Sequence, residues 1–292
     1  MGEAAAPGVK WQVYLRLGRV SNLPTVWTNV LAGVILAGAA VEPVSLTALI
    51  IAVSLFYVGG MFLNDAFDAD IDARERPERP IPSGRTSRRE VFAIGYGMLA
   101  VALAIVVWLA TSWQAVLAAG ALAATIVYYD AHHKANPLSP LVMGLCRVLV
   151  YVLAAVAVTG RLTPAVLGGA AILLCYLIGL TYVAKQENLA EYHNLWPLAF
   201  LAAPFVYGIP TLLGSAVGAA LYLGFLAWVV YAISFLLRPG PGRIPRAVIS
   251  FIAGISLLDA MLVAGRGAPA AAGLAVVGFA LTLFAQRYVR GT

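Results

Sequence analysis

Long apolar stretches alternate with short polar segments along almost the whole chain. A helix needs about 20 apolar residues to cross the hydrocarbon core of a bilayer, so each stretch is a candidate membrane-spanning helix. The ten candidates are 23–41, 45–65, 90–111, 113–131, 138–159, 163–184, 195–213, 215–237, 246–265 and 269–288. The seventh is the weakest, because Pro197, Pro204 and Pro210 interrupt it. The pattern predicts an all-α, polytopic membrane bundle of nine or ten transmembrane helices.

Composition agrees with this pattern. Hydrophobic residues make up 62% of the 292 positions and charged residues only 11%, whereas a soluble domain carries about 25% charged residues. This excludes a soluble globule and a disordered chain. Cys146 and Cys175 both lie in apolar stretches, so neither a disulfide framework nor a cysteine metal site is expected. Residues 1–22 lack the pattern of a cleavable signal peptide. We expect one membrane domain over 1–292.

The basic residues are distributed unevenly about the predicted helices. With the N-terminus in the cytoplasm, all of the 19 Lys and Arg residues except Arg147, Arg161 and Arg266 lie on the cytoplasmic side. This bias orients membrane proteins and accounts for most of the net charge of +6. No soluble domain is predicted that could bind nucleic acid, so the basic residues are expected to contact the lipid bilayer. We predict an integral, multi-pass protein of the bacterial inner-membrane type. Its cytoplasmic loops are 64–89, 128–137 and 185–195.

Carboxylates cluster at the end of the second predicted helix. With about 100° per residue, Asp65, Asp68 and Asp72 share one helical face, Asn64 flanks that face and Asp70 points away. Three carboxylates on one face repel one another unless a cation lies among them, and hard oxygen ligands suit Mg²⁺. The alternative is an acidic patch at the membrane surface that the following arginines neutralise.

The segment after this cluster is rich in arginine and proline. Its prolines and glycine predict a structured loop rather than a helix. Guanidinium groups match phosphate oxygens, so Arg76, Arg79 and Arg85 are candidate ligands of a phosphate-bearing substrate. Anchoring of the loop at the cytoplasmic surface is the alternative role for each of them.

These two segments together resemble a known signature. The run from Asn64 to Asp72, followed by Arg-x-x-Arg-Pro-x-Pro-Ser-Gly-Arg from Arg76, resembles the first motif of the UbiA superfamily of intramembrane prenyltransferases. A second fragment, Tyr129-x-x-x-x-Lys134-x-x-Pro137 with Gly144 beyond, is similar to the stretch after that family's fourth helix. The hydrophobic layout resembles the family over about 16–265, which leaves 266–292 as an extra C-terminal helix.

Two shorter stretches resemble a subgroup of this family. They are Arg19-x-x-Asn22-Leu23-Pro24-Thr25-x-x-Thr28-Asn29 and Tyr182-x-x-Lys185-Gln186-Glu187, and they look most like the EboC-like subgroup.

The resemblance implies a Mg²⁺-dependent enzyme that moves a polyprenyl group from its diphosphate to a small lipophilic acceptor, for example an aromatic one. Asn64 and the three aspartates would then form the first metal motif. Lys134 and Lys185 would bind the diphosphate and take up its charge as it leaves. Aromatic faces stabilise cations, and Tyr129 and Tyr182 are the favoured tyrosines because they lie next to the motifs. Asn29, one turn inside the first helix, is expected to line the substrate chamber.

The chain departs from the family pattern at the second metal motif. The family has Asp-x-x-x-Asp after its sixth helix, whereas this sequence has Glu187 and Glu191, four residues apart. They can face a metal ion together as replacement ligands, or they can form a surface ion-pair turn. Asp259, inside the ninth span, either faces the chamber or is hydrogen-bonded between helices.

This departure leaves two functions open. The leading hypothesis is the prenyltransferase just described. The alternative is a lipid-handling or transport protein that keeps the family fold but has a degenerate second metal motif and little or no catalysis.

Overall fold

The structure is a computed structural model that describes residues 7–39, 42–134, 136–185, 196, 198–237 and 242–289. Throughout these residues the regular structure is helical. The helices are α1 (Pro7–Leu17), α2 (Leu23–Leu36), α3 (Pro43–Phe67), α4 (Ala69–Glu75), α5 (Arg88–Leu109), α6 (Trp113–His132), α7 (Ser139–Thr159), α8 (Pro164–Ala184), α9 (Leu198–Tyr207), α10 (Ile209–Gly214), α11 (Ala216–Leu236), α12 (Arg243–Ala264) and α13 (Pro269–Ala285).

Local sequence signals explain where several of these helices begin. The side chains of Glu42, Ser87, Thr163 and Ser215 each accept a hydrogen bond from a backbone amide in the first turn of α3, α5, α8 and α11, respectively. Such capping satisfies amide groups that have no partner within the helix, and it contributes about 1 kcal/mol per cap. The predicted polar breaks between apolar stretches are therefore also helix start signals.

Seven of the helices in the described part of the chain are long and apolar enough to cross a membrane, namely α3, α5, α6, α7, α8, α11 and α12. The other three predicted spans correspond to shorter apolar segments at Val20–Leu36, Ala199–Gly214 and Pro269–Ala285. The seventh predicted span is divided in the structure, since α9 ends at Tyr207 and Gly208 separates it from α10. Pro204 lies inside α9, and Pro210 lies in the first turn of α10. The protein is an all-α, multi-pass membrane protein, as the pattern predicts.

Two large apolar clusters form most of the interior of the bundle, and a smaller third one packs α1 against α3 and α5. One joins α3, α5 and α6 to α2 and α7, and the other joins α8, α11, α12 and α13 to the same pair. Close helix contact between α3 and α5 depends on glycine: a Cβ atom added at Gly59 would lie 2.9 Å from the carbonyl oxygen of Gly95. Small residues allow such approach within a membrane. Because α2 and α7 belong to both clusters, they lie at the centre of the bundle.

The predicted site residues lie mainly at one end of the bundle. Asp68 ends α3 and begins α4, so the acidic motif spans a junction between two helices rather than one continuous helix. The 76–85 segment forms turns, as its prolines predict. Lys134 follows α6 and Lys185 follows α8. Glu187 and Glu191 lie outside the described residues.

Candidate active site

A cavity of about 670 Å³ opens among the ends of α3, α6 and α8. Its polar lining includes Arg19, Asn64, Asp68, Arg76, Arg79, Asp130, His133, Lys134 and Lys185, which we call the charged mouth. Its apolar lining includes Val26, Val53, Phe56, Leu122, Ile126, Val150, Leu177, Leu180, Val248, Ile252 and Ile255. The arrangement places charged groups beside a hydrocarbon-lined chamber, which suits a ligand with an anionic head and an apolar chain.

The first acidic motif is buried beside this mouth. Asp65, Asp68 and Asp72 are 8%, 5% and 2% exposed. The side chain of Asp70 is 78% exposed, and its Oδ2 lies 2.9 Å from Arg88 Nη1. The structure thus confirms the division of buried and exposed aspartates that the helical step predicts. Asp68 lines the cavity directly, whereas Asp65 and Asp72 lie behind it. Their role as metal ligands stays a prediction.

Arg79 connects the arginine-rich loop to this motif. Its Nη1 lies 2.8 Å from Asp72 Oδ2 and 3.4 Å from Asp65 Oδ1. Arg76 is half-buried and lines the cavity. Arg85 is exposed and lies outside the cavity lining, and its contact with substrate stays a prediction. A tight turn, closed by the hydrogen bond from the Arg85 amide to the Pro80 carbonyl at 3.0 Å, leaves its side chain in solvent.

The end of α6 supplies the basic partners of Asp68. Asp68 Oδ2 lies 3.4 Å from His133 Nε2 and 3.3 Å from Lys134 Nζ. Burial raises the pKa of Asp68, but the hydrogen bond and charge of His133 and the charge of Lys134 outweigh burial and hold the pKa below its usual value. Tyr129 lines the cavity, and its ring stacks on that of His133 with centroids 5.0 Å apart. Asn64 donates to Asp130 Oδ1 at 3.2 Å.

Two other predicted residues lie elsewhere. Asn29 is fully buried and is not part of the cavity lining, because its amide bridges Arg147 and Asp259 in the bundle interior. Tyr182 packs its ring against Trp196, with centroids 4.8 Å apart. Since its neighbour Thr181 lines the cavity, the 100° helical step turns Tyr182 away from it. Direct contact of these two residues with substrate stays a prediction.

Lys185 lies at the edge of the cavity, and its role in binding diphosphate stays a prediction. It lines the cavity, and its Nζ donates to the carbonyl oxygen of Asn136 at 3.3 Å. Burial lowers the pKa of Lys185 from its ordinary value. This hydrogen bond joins the end of α8 to the segment before α7 at the charged mouth.

Arg19 is a residue of the mouth that the sequence did not single out. Its guanidinium lies 3.2 Å from Asp65 Oδ1 and 3.4 Å from Asn64 Oδ1. Its backbone has a left-handed conformation, with φ 43° and ψ 45°, which is uncommon for a residue other than glycine. Such strained residues often occur at functional sites. Its sequence signal was its place at the start of the Arg19-x-x-Asn22 stretch that resembles the EboC-like subgroup.

Asp130 and His133 were also missed. Asp130 is 3% exposed, and its Oδ2 has no hydrogen-bond partner among the described residues. A buried carboxylate oxygen without a partner is costly, so this atom marks a place where a cation would be stabilised. The sequence gives no sign of these contacts, because only the folded chain brings the end of α6 against the end of α3.

The donor chemistry at the mouth fits a hard divalent cation. Asp65, Asp68, Asp72 and Asp130 offer carboxylate oxygens and Asn64 an amide oxygen, which are the ligand types that Mg²⁺ prefers. Within the described ranges, no three His, Cys, Asp or Glu residues are grouped closely enough to hold a metal ion. The carboxylates are instead paired with Arg19, Arg79, His133 and Lys134. The residues fit the ion by type and burial.

Comparison with known proteins agrees with this geometry. The chain is 32% identical over 223 residues to the digeranylgeranylglyceryl phosphate synthase of Methanopyrus kandleri, which covers 75% of this chain and 79% of that relative. It is also 37% identical over 130 residues to the protoheme IX farnesyltransferase of Methylorubrum populi, a match to 43% of this chain and 39% of that protein.

A solved structure shares the fold. The apo structure of a UbiA homolog from Aeropyrum pernix K1 superposes with a TM-score of 0.60 at 18% identity, over 89% of this chain and 96% of that one. The model of the UbiA prenyltransferase family matches residues 25–255. This range lies within residues 16–265, over which the hydrophobic layout resembles the family, and it ends before α13 begins. The chain therefore belongs to the UbiA prenyltransferase family, and the enzyme class predicted from its sequence, a prenyltransferase, is confirmed.

Proposed function

We propose that this enzyme transfers a prenyl group from a polyprenyl diphosphate to a small aromatic or otherwise lipophilic acceptor inside the membrane. The observation that carries the proposal is the cavity, in which a charged mouth adjoins apolar walls. Guanidinium and ammonium groups bind phosphate oxygens, and the apolar walls suit a prenyl chain. The names of the two relatives, a digeranylgeranylglyceryl phosphate synthase and a farnesyltransferase, support transfer of an isoprenoid group.

The basic residues of the mouth suit the departure of diphosphate. When the allylic C–O bond breaks, its electron pair stays on the diphosphate oxygen, and Arg19, Arg79 and Lys134 neutralise the added charge. The acceptor then donates an electron pair to the allylic carbon and passes a proton to the released diphosphate. Arg76 and Lys185 border the same opening and hold the diphosphate at the cytoplasmic end of the cavity.

The walls of the cavity protect the allylic cation. Side chains such as Phe56, Leu122 and Ile126 present hydrocarbon to the prenyl chain, and they exclude water that would otherwise capture the cation. The face of an aromatic ring attracts a cation, and Tyr129 presents its ring at the junction of the mouth and the walls.

Mg²⁺ is the cofactor proposed for this site. Asn64, Asp65, Asp68 and Asp72 would hold it from one side, and the partnerless oxygen of Asp130 supports a ligand position on another. Bound Mg²⁺ stabilises negative charge on phosphate oxygens. Glu187 and Glu191 remain proposed ligands of a second ion.

A transfer assay tests the proposal. Purified protein in lipid nanodiscs is incubated with farnesyl, geranylgeranyl or longer prenyl diphosphates, Mg²⁺ and a bacterial lipid extract. We expect release of inorganic diphosphate and a new prenylated product by mass spectrometry, both lost without Mg²⁺. Tight binding of prenyl diphosphates without diphosphate release from any of them would instead support the lipid-handling alternative.

The proposed orientation places the charged mouth in the cytoplasm. We predict that reporters fused after residue 89, 135 or 240, or at the C-terminus, have cytoplasmic activity, because the basic residues concentrate on that side. Paired alkaline phosphatase and fluorescent protein fusions measure this. A C-terminal reporter active outside the cell would show that α13 does not cross the membrane.

A further inference from the structure

The last helix, α13, ends next to the turn that follows Arg19. It lies beyond residues 25–255, the range that matches the family model. It packs against α2 and α12, and its end contacts the 3₁₀ turn Val20–Asn22, which we call the 20–22 turn. A helix outside the family range is therefore in contact with the entrance of the active site.

Small side chains fix the position of α13 on α2. The buried residues of α13 are Ala272, Ala275, Gly278 and Thr282. A Cβ atom added at Gly278 would lie 2.5 Å from the Thr28 Cγ2 atom, so the two helices are in close contact here. Gln286 follows Gly278 by eight residues, about 12 Å along the helix axis. This contact therefore sets the place at which the Gln286 side chain meets the 20–22 turn.

Gln286 joins three elements at this place. Its Nε2 donates to Asn22 Oδ1 at 3.2 Å and to the carbonyl oxygen of Ile249, on α12, at 3.4 Å. Its Oε1 is buried and has no hydrogen-bond partner among the described residues. A buried amide with an unsatisfied oxygen is costly, and such groups call for an explanation. The explanation we draw is that the two donated hydrogen bonds order the neighbouring turn.

The 20–22 turn carries side chains of the active site. Asn22 is 3% exposed and lines the cavity. Its amide donates to the carbonyl oxygen of Arg19 at 3.0 Å, and the Arg19 guanidinium lies 3.2 Å from Asp65 Oδ1. The left-handed backbone of Arg19 is costly and persists only where surrounding contacts hold it. The hydrogen bond from Gln286 to Asn22 is such a contact.

We propose that Gln286 is a positioning residue of the active site: through Asn22 it holds the 20–22 turn so that Arg19 faces the diphosphate. This inference rests on the proposed function, in which Arg19 neutralises the diphosphate. Gln286 itself does not touch substrate. The helix that this chain has beyond the family range is thus part of what orders the charged mouth, in addition to its place in the membrane.

Binding of two matched ligands tests this inference on the full-length protein in nanodiscs. One is farnesyl S-thiolodiphosphate, which is not cleaved, added with Mg²⁺, and the other is farnesol, which has the same chain without the diphosphate. Gln286→Met keeps the length of the side chain and removes its donor. We expect about fivefold weaker binding of the thiolodiphosphate, the factor that one neutral hydrogen bond contributes, and farnesol binding within about twofold. The adjacent exposed control Arg287→Gln should change neither.

A double-mutant cycle separates positioning from general packing. Asn22→Ala removes the acceptor of the hydrogen bond, so Gln286→Met should have no further effect on thiolodiphosphate binding in that background. Unchanged binding in Gln286→Met, an equal loss for both ligands, or an additive loss in the double variant would overturn the inference.

Amide hydrogen exchange tests the positioning without any ligand. Exchange in Gln286→Met should be faster in peptides that cover 19–22 and unchanged in peptides of α5. Unchanged exchange at the turn would contradict the inference. If Gln286→Met does not fold, Gln286→Asn replaces it with the same expectations, since it keeps the amide but shortens its reach by one methylene. Faster exchange at the turn in a protein that binds no thiolodiphosphate would count against the proposed function alone.

Discussion

Replacement of Asp68 or Asp72 by alanine is expected to lower prenyl transfer by at least about 100-fold, whereas Asp70→Ala should stay within about twofold of the unmutated enzyme. Loss of one charged group that stabilises a developing negative charge has an effect of this size. Asp68 and Asp72 are buried beside the mouth, and Asp72 holds Arg79 at 2.8 Å. The pair between Asp70 and Arg88 is largely exposed and contributes little. The measurements are kcat/KM and Mg²⁺ binding in the presence of farnesyl S-thiolodiphosphate.

Asp70→Ala is the matched control for this comparison, since it removes the same group from the same short helix. Thermal unfolding of all three variants separates lost catalysis from lost folding. An Asp70→Ala enzyme as impaired as Asp68→Ala would contradict the assignment of the buried face as the binding face. Equal activity in all of the variants would remove the acidic motif from the mechanism.

Local periodicity predicted the acidic motif because its members are close in sequence. The positions of Asp65, Asp68 and Asp72 relative to Asp70 depend only on the helical step, which holds even though the chain changes from α3 to α4 at Asp68. The apolar spans were predictable for the same reason, since their length and composition are local properties. Their ends were predicted less well, and the first, seventh and tenth spans form shorter helices than expected.

Contacts between distant helices could not be predicted in this way. Asn29 and Asp259 are 230 residues apart, and only the packing of α2 against α12 brings them together. The sequence left two roles open for Asp259, and the structure shows the hydrogen-bonded one. Asn29 seemed a chamber residue because of its depth in the first span, but depth does not determine which face of a helix meets the cavity.

The side chains of the mouth show the same limit. Tyr182 and Lys185 are three residues apart, yet Lys185 lines the cavity and Tyr182 contacts Trp196. His133 belongs to no motif of the sequence, although its ring lies against Asp68. In both cases the deciding factor is the direction of a helix end relative to its neighbours. A motif read along one segment contains no information about that direction.

Asp130→Asn is expected to raise the Mg²⁺ concentration for half-maximal transfer about tenfold or more, with an unchanged or higher melting temperature. The change keeps the size of the side chain and its contact with Asn64, but it removes the charge from an oxygen that has no partner in the described structure. Removal of a buried, partnerless charge does not destabilise the fold. The measurement is a Mg²⁺ titration of initial rates, compared with thermal unfolding in the same nanodiscs.

The matched comparison is Glu187→Gln, which makes the same chemical change in the segment that replaces the family's second aspartate motif. A larger Mg²⁺ shift in Asp130→Asn would show that α6 supplies a carboxylate to the cation, so that the missing aspartates are compensated from a different helix. A shift confined to Glu187→Gln would contradict this and place the second ligand set after α8. If neither variant changed the Mg²⁺ dependence, Asp65, Asp68 and Asp72 would be the first carboxylates left to account for it, with Glu191 the remaining candidate after α8. The partnerless oxygen of Asp130 would then be a structural cost that the cation does not offset.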